Sequence, residues 1–261
     1  MAILERHDAG GVAYLKMNAP ERLNALSDEM IAAIQSEFET LAQTRSIRAI
    51  VLAGNGKAFC AGHDLKEMTA ARQSEDGGRA AFEDLFTRCA TMMQTIQALP
   101  QPVIAQVHGI ATAAGCQLVA SCDLAVAADD TRFGVNGVNI GLFCSTPMVA
   151  LSRNIPRKHA FEMLTTGDFL SAERARDLGL INRSVPADQL KSATRDLAEQ
   201  ISGKLAVAVK IGKQAYYKQL EMPLAQAYAY TGQAIVENML NRDTEEGISA
   251  FLEKRDPTWE Q

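Results

Sequence analysis

Positive charge is not in excess: 26 Lys and Arg stand against 31 Asp and Glu, a formal charge of −5. Without a basic stripe there is no electrostatic footprint for nucleic acid or for an anionic membrane surface, so neither partner is expected. Long apolar runs are missing too. The longest extend only a few residues, against the roughly 20 that a membrane-spanning helix needs. Residues 1–7 carry charge where a secretory signal would place its apolar stretch. Cysteine is sparse. Cys60, Cys89, Cys116, Cys122 and Cys144 form an odd set with no Cys-x-x-Cys, which argues against a disulfide framework and a zinc ribbon. Each is expected to stay reduced as a small apolar filler, and the cytoplasm, or an organelle matrix in a eukaryote, suits such usage. The four histidines (His7, His63, His108 and His159) are scattered and form no His-Glu-x-x-His, so no metal site is expected. A Gly-x-Ser-x-Gly elbow is absent. Gly54-Asn55-Gly56-Lys57-Ala58-Phe59 opens like a dinucleotide fingerprint, but Phe59 stands where the third glycine belongs, and a turn is the better reading.

What is present is ordinary globular material, 47% hydrophobic and 22% charged over 261 residues. A chain this long buries about 70–75% of its unfolded surface and needs no staples. The first half alternates strand-like and helix-like stretches. Residues 2–6 and 11–17 are β-prone runs around the turn signal Asp8-Ala9-Gly10-Gly11. Over 27–43 the pattern turns helical: Ser27 can cap the first turn, Asp28 and Glu29 follow it, and Ile31, Ile34, Phe38 and Leu41 recur at helical spacing. The apolar runs 47–53, 102–107 and 122–127 read as buried strands, with a helix over about 113–121. This order predicts an α/β fold with right-handed crossovers and a largely parallel sheet. Beyond about Pro147 only helices are expected, among them 188–201 and 223–240. One core with a helical appendage follows, since no repeat or linker divides the chain.

Two segments have the composition of a ligand-holding backbone. In Phe59-Cys60-Ala61-Gly62-His63-Asp64-Leu65-Lys66-Glu67-Met68 a strand ends in small residues, and Asp64 can cap a helix that begins at once. His108-Gly109-Ile110-Ala111-Thr112-Ala113-Ala114-Gly115-Cys116-Gln117 repeats the plan. Small residues let a backbone approach a ligand, and the first amides of a helix are unpaired. Two such loops can each lend one N–H to a single oxygen, which is how an oxyanion hole is built. Two ordinary strand-to-helix turns are the alternative.

These two segments and the run Phe133–Gly141 resemble the crotonase (enoyl-CoA hydratase/isomerase) superfamily. The similarity extends from Asn18-Ala19-Pro20-Glu21-Arg22-Leu23-Asn24-Ala25-Leu26 to Ala250-Phe251-Leu252-Glu253-Lys254-Arg255, with Thr166-Gly167-Asp168 and Ala175-x-x-x-Gly179-Leu180 in order between them. The resemblance implies an α/β fold: a crotonase-like ββα spiral core over 1–195, then a C-terminal helical trimerisation region over 196–261, assembled as a homotrimer or a dimer of trimers. It implies an acyl-CoA thioester as ligand, coenzyme A being part of the substrate with no other cofactor, and a place in fatty acid and lipid metabolism. The carbonyl-polarising amides fall on His63 and Ala114. Ala61, His63, Asp64, Leu65 and Lys66 match the CoA side of the pocket, and Arg22, Ala25 and Leu26 the nucleotide part. Phe251 and Lys254 match positions that reach a neighbouring subunit's CoA; for Lys254 a solvated surface charge is the alternative.

The chain departs from the family pattern at the chemistry. Hydratases of this family use two glutamates, because adding water to an α,β-unsaturated thioester needs a base on the water and an acid at the α-carbon. Those positions are Gln117 and Gly137 here. An amide is no base near neutral pH, and glycine offers no group, so hydration by the usual route is not expected and a double-bond isomerase is weakened as well. Substitutes are His63 as an acid or base, Cys144 or Ser145 as a nucleophile on the thioester or else as caps of the following helix, and Asn136 and Asn139 as water-orienting groups. Three functions stay open: an enoyl-CoA hydratase-like lyase, a non-catalytic acyl-CoA-binding or regulatory protein, and a CoA-thioester hydrolase.

Overall fold

A computed structural model describes residues 2–260, and its frame is nine strands in two sheets. Strands β1 (Leu4–Ala9) and β2 (Val12–Met17) form an antiparallel hairpin in which Ala9 faces Val12. Gly10 and Gly11, both at positive φ, close the tight turn. From β2 onward the main sheet is parallel, through β3 (Ala49–Gly54), β4 (Val103–Val107), β6 (Leu124–Ala128) and β9 (Arg183–Val185), in the order β1-β2-β3-β4-β6-β9. A second sheet of three short strands, β5 (Ile110–Thr112), β7 (Arg132–Gly134) and β8 (Leu170–Ser171), lies beside it.

Both faces of the main sheet are covered, so its central strands are near-continuous apolar runs rather than alternating ones. Leu15, Ile50, Leu52, Val103 and Ala105 pack with the apolar stripes of α1 (Asp28–Ala42) and of α3 (Arg79–Ala98). Val12, Val51, Ile104 and Val126 pack on Leu190 and Ala198 of α8 (Leu190–Ser202). As expected, Ser27 caps α1, its Oγ accepting the Met30 N–H at 3.2 Å. Between these lie α2 (Leu65–Ala71), α4 (Ala114–Ser121), α5 (Pro147–Asn154), α6 (Arg157–Thr166) and α7 (Ala172–Leu178).

Two expectations need correction. Strands do follow Pro147: β8 has two residues and β9 three, too short for any alternation to be read, and each exists because a partner edge pairs it. Helix α3, twenty residues long, corresponds to no element expected from the pattern. The 195/196 division between core and appendage falls within α8, whose Leu190 and Ala198 both rest on the sheet. The last three helices, α9 (Ala206–Leu220), α10 (Leu224–Met239) and α11 (Arg242–Glu253), complete the chain. Lys213 of α9 is buried. Its Nζ donates to the carbonyls of Ile96 and Gln101 at 2.7 and 2.8 Å and to Asp123 Oδ2 at 2.7 Å, while Tyr217 donates to Asp123 Oδ1.

Candidate active site

The two loops singled out in the sequence are zipped together by their backbones. Cys60 N–H donates to the Ile110 carbonyl and Thr112 N–H to the Cys60 carbonyl, at 3.2 and 3.1 Å. On the other side, Ala61 N–H donates to Leu23 and Leu26 N–H to Gly62, so three segments run side by side. Two glycines make this closeness possible. A Cβ on Gly115 would stand 2.2 Å from the Cys60 carbonyl oxygen. One on Gly62, where φ is +91°, would stand 2.9 Å from Ala113 Cβ and 3.3 Å from Ala114 N.

Ala113 itself has φ 49° and ψ −120°, a conformation that L residues adopt at a cost of about 1–3 kcal/mol. Its own N–H, bonded to the Gly134 carbonyl at 2.9 Å, helps hold it there. The strained turn ends at Ala114, the first residue of α4, whose N–H has no carbonyl four residues back to bond. Among the described residues no acceptor takes the N–H of Ala114, and none takes the N–H of His63. His63 and Ala114, one on each of these touching segments, both line the same recess.

The recess is a cavity of about 550 Å³. His63, Leu65, Met68, Phe86, Leu142 and Phe143 line it, as do Asn136, Gly137 and Cys144. No Asp, Glu, Lys, Arg or Tyr stands among the lining residues. The His63 ring lies edge-on to Phe86, with centroids 5.4 Å apart, and its Nε2 is buried without a hydrogen-bond partner. Burial pushes its pKa down to about 4, so the imidazole is neutral at pH 7. Burial likewise raises the Cys144 thiol above its ordinary value, which keeps it protonated. Cys144 and Ser145 do not cap α5 through their side chains: the Cys144 backbone carbonyl accepts the Met148 N–H, and Ser145 Oγ donates to Phe143. Asn136 Oδ1 accepts from Thr112 Oγ at 2.5 Å.

Of the two positions where the resemblance puts glutamates, one faces the cavity and one does not. Gly137 lines it, but a Cβ there would stand 2.5 Å from the Leu142 carbonyl oxygen and 2.9 Å from Cys144 Sγ. Gln117, 5% exposed on α4, lies outside the lining, and its Oε1 is buried without a partner. Asp64 caps α2 as expected, Oδ1 accepting the Lys66 and Glu67 N–H groups, and its Oδ2 is 3.4 Å from the Arg22 guanidinium. Ala25 and Leu26 are buried and Lys66 is exposed, while Leu65, though half-exposed, also lines the cavity. Phe251 and Lys254, at the end of α11, are exposed and do not touch the cavity within one chain. Met68, Phe86, Leu142 and Phe143 are lining residues that sequence reading did not assign to the site; for Phe86 the usable signal was the buried spacing Leu85, Cys89, Met92, Ile96, which marks the helix that carries it.

Residues 7–261 match the family model described as enoyl-CoA hydratase/isomerase. The chain is 45% identical over 249 residues to the mitochondrial enoyl-CoA hydratase domain-containing protein 3 of Mus musculus, covering 95% of this chain and 81% of the relative. The crystal structure of an enoyl-CoA hydratase from Mycobacterium smegmatis superposes with a TM-score of 0.95 at 52% identity over the whole of both chains. That of human enoyl coenzyme A hydratase domain-containing protein 3 gives 0.94 at 43% identity, covering 98% of this chain and 100% of the other.

Proposed function

This chain belongs to the enoyl-CoA hydratase/isomerase family, and on that premise we propose that its cavity takes an acyl-CoA thioester whose carbonyl oxygen is held by the N–H groups of His63 and Ala114. The observation that carries this is the pair of unpartnered amides at the wall of an otherwise largely apolar cavity. Fixed donors of this kind stabilise the charge that gathers on the thioester oxygen, each by about 2.7–4 kcal/mol. The acyl chain lies against Met68, Phe86, Leu142 and Phe143. Coenzyme A runs outward past Ala61, Asp64, Leu65 and Lys66, with its nucleotide part near Arg22, Ala25 and Leu26. CoA is part of the substrate, and no separate cofactor enters.

The reaction class is enoyl-CoA hydratase-like lyase chemistry in lipid metabolism, but not by two carboxylates: Gln117 and Gly137 supply no base, and Gly137 has no room for one. The absence of Asp and Glu from the lining favours a second reading, an acyl-CoA-binding protein without turnover. Thioester hydrolysis through Cys144 is disfavoured, since burial holds the thiol protonated. Assembly as a homotrimer or a dimer of trimers is supported by Leu224, Tyr228, Leu240, Phe251 and Leu252, all 73–82% exposed on α10 and α11. Phe251 and Lys254 then reach a neighbour's CoA. Relatives named mitochondrial and five buried, unpaired cysteines favour an organelle matrix or the cytoplasm.

Calorimetric titration with butyryl-CoA and with free CoA tests the proposal. Butyryl-CoA binds more tightly, and Ala114→Pro, which suits a first helical position but removes the N–H, erases most of that advantage. Equal affinity for the two ligands, or none for either, refutes it. Crotonyl-CoA hydration, followed by absorbance, then separates lyase from binder.

A further inference from the structure

A second recess, of about 470 Å³, shares no lining residue with the acyl-CoA cavity. It lies where residues 42–48 and Pro100-Gln101 lead into β3 and β4, and the first turns of α9 close it. The acyl-CoA cavity is built from segments that follow the other ends of the same two strands. The strands, roughly 15–20 Å long, therefore separate the two.

The charge of this recess is of one sign. Arg45, Arg48 and Lys210 line it, and no Asp or Glu does. Among the described residues none of these three cations is in an ion pair, although the whole chain carries a formal charge of −5. Like charges gathered in a concave site without a counter-charge focus a positive potential there.

Its walls are also held in place. Gln101, 5% exposed, donates from Nε2 to the carbonyls of Leu41 and Ile47 at 2.7 and 3.2 Å, which fixes the turn that carries Arg45 and Arg48. Its own carbonyl accepts from Lys213 of α9 at 2.8 Å, so one buried residue joins all three walls. Arg48 is oriented by a bond from Nη1 to the Ser202 carbonyl at 3.0 Å. Beside the cations, Ile47, Pro100, Val207 and Val209 add apolar surface.

We propose that this recess is a second binding site, for an organic phosphate. Guanidinium groups suit phosphoryl oxygens, which they can meet two at a time, and an ammonium adds a further donor. The apolar residues take the organic part. The volume lies within the range of about 300–1,000 Å³ usual for small-molecule sites.

The test is calorimetric titration with phenyl phosphate, phenol and inorganic phosphate. Phenyl phosphate binds more tightly than either of its parts. Arg45→Glu with Lys210→Glu, both at exposed side chains, weakens it by about tenfold or more. Butyryl-CoA affinity stays unchanged in that variant, which separates this site from the acyl-CoA cavity. Arg45→Gln with Lys210→Gln gives a smaller loss in the same direction and reads the same contacts if the reversals disturb folding. Arg157→Glu with Lys158→Glu changes the net charge by the same amount away from the recess, and leaves phenyl phosphate affinity as it was. A wild-type protein that does not bind phenyl phosphate overturns the proposal, as does equal binding of phenol or of inorganic phosphate. An equal loss in the Arg157 and Lys158 variant overturns it too, and so does a parallel loss of butyryl-CoA affinity, which would assign the phosphate to coenzyme A.

Discussion

At Gly137 the missing carboxylate is a matter of room as well as chemistry. The Leu142 carbonyl and Cys144 Sγ occupy the space into which a side chain would grow. Gly137→Glu therefore restores no hydration of crotonyl-CoA and lowers stability by about 1–3 kcal/mol through overpacking; thermal melts and the absorbance assay check both halves. His63 adds a pH signature. It protonates near pH 6.5 when unfolded and only near pH 4 when folded, so between those values the unfolded chain binds more protons. Stability therefore rises with pH across that window and is lost as pH falls from 6.5 toward 4. Melts of wild-type protein and His63→Phe over this range should diverge, the variant losing less. Equal slopes would place the imidazole in water.

Helix α9 is tied to the core by one buried cation. Lys213 bridges two carbonyls and Asp123, and Asp123 Oδ2 also accepts the Val103 N–H at 2.6 Å. Lys213→Met leaves those acceptors and the carboxylate without their cation, at a cost of about 3–5 kcal/mol measured by urea unfolding. A loss under 1 kcal/mol would mean that water replaces the amine. At this scale the sequence is legible where backbone chemistry is local. Ser27 and Asp64 announce their caps, and Gly62 and Gly115 mark a close approach that tolerates no Cβ. It is illegible where an element depends on a distant edge: β8 and β9 are too short to carry a period, and α3 brings Phe86 to a cavity whose other walls lie some twenty to sixty residues away. Gln117 shows the same limit. Its alignment with a catalytic position says nothing of whether it faces the cavity, and it does not.

For the whole molecule, Leu224, Tyr228, Leu240, Phe251 and Leu252 leave apolar side chains exposed along and beside α10 and α11, which the proposed trimer would cover. Leu240→Asp with Leu252→Asp should reduce the mass seen by sedimentation to that of one chain. Acyl-CoA affinity should fall by about tenfold at the same time if Phe251 and Lys254 serve a neighbour's ligand, a change of about 1.4 kcal/mol. Unaltered affinity in the separated chain would confine the site to one subunit. The claim on which all of this depends is that two backbone amides hold one thioester oxygen. Isotope-edited infrared spectroscopy of butyryl-CoA labelled with ¹³C at the carbonyl tests it most directly. The labelled stretch is expected to move to lower frequency on binding, and to move less in Ala114→Pro. A bound carbonyl that absorbs where it does in water, in both proteins, would contradict it.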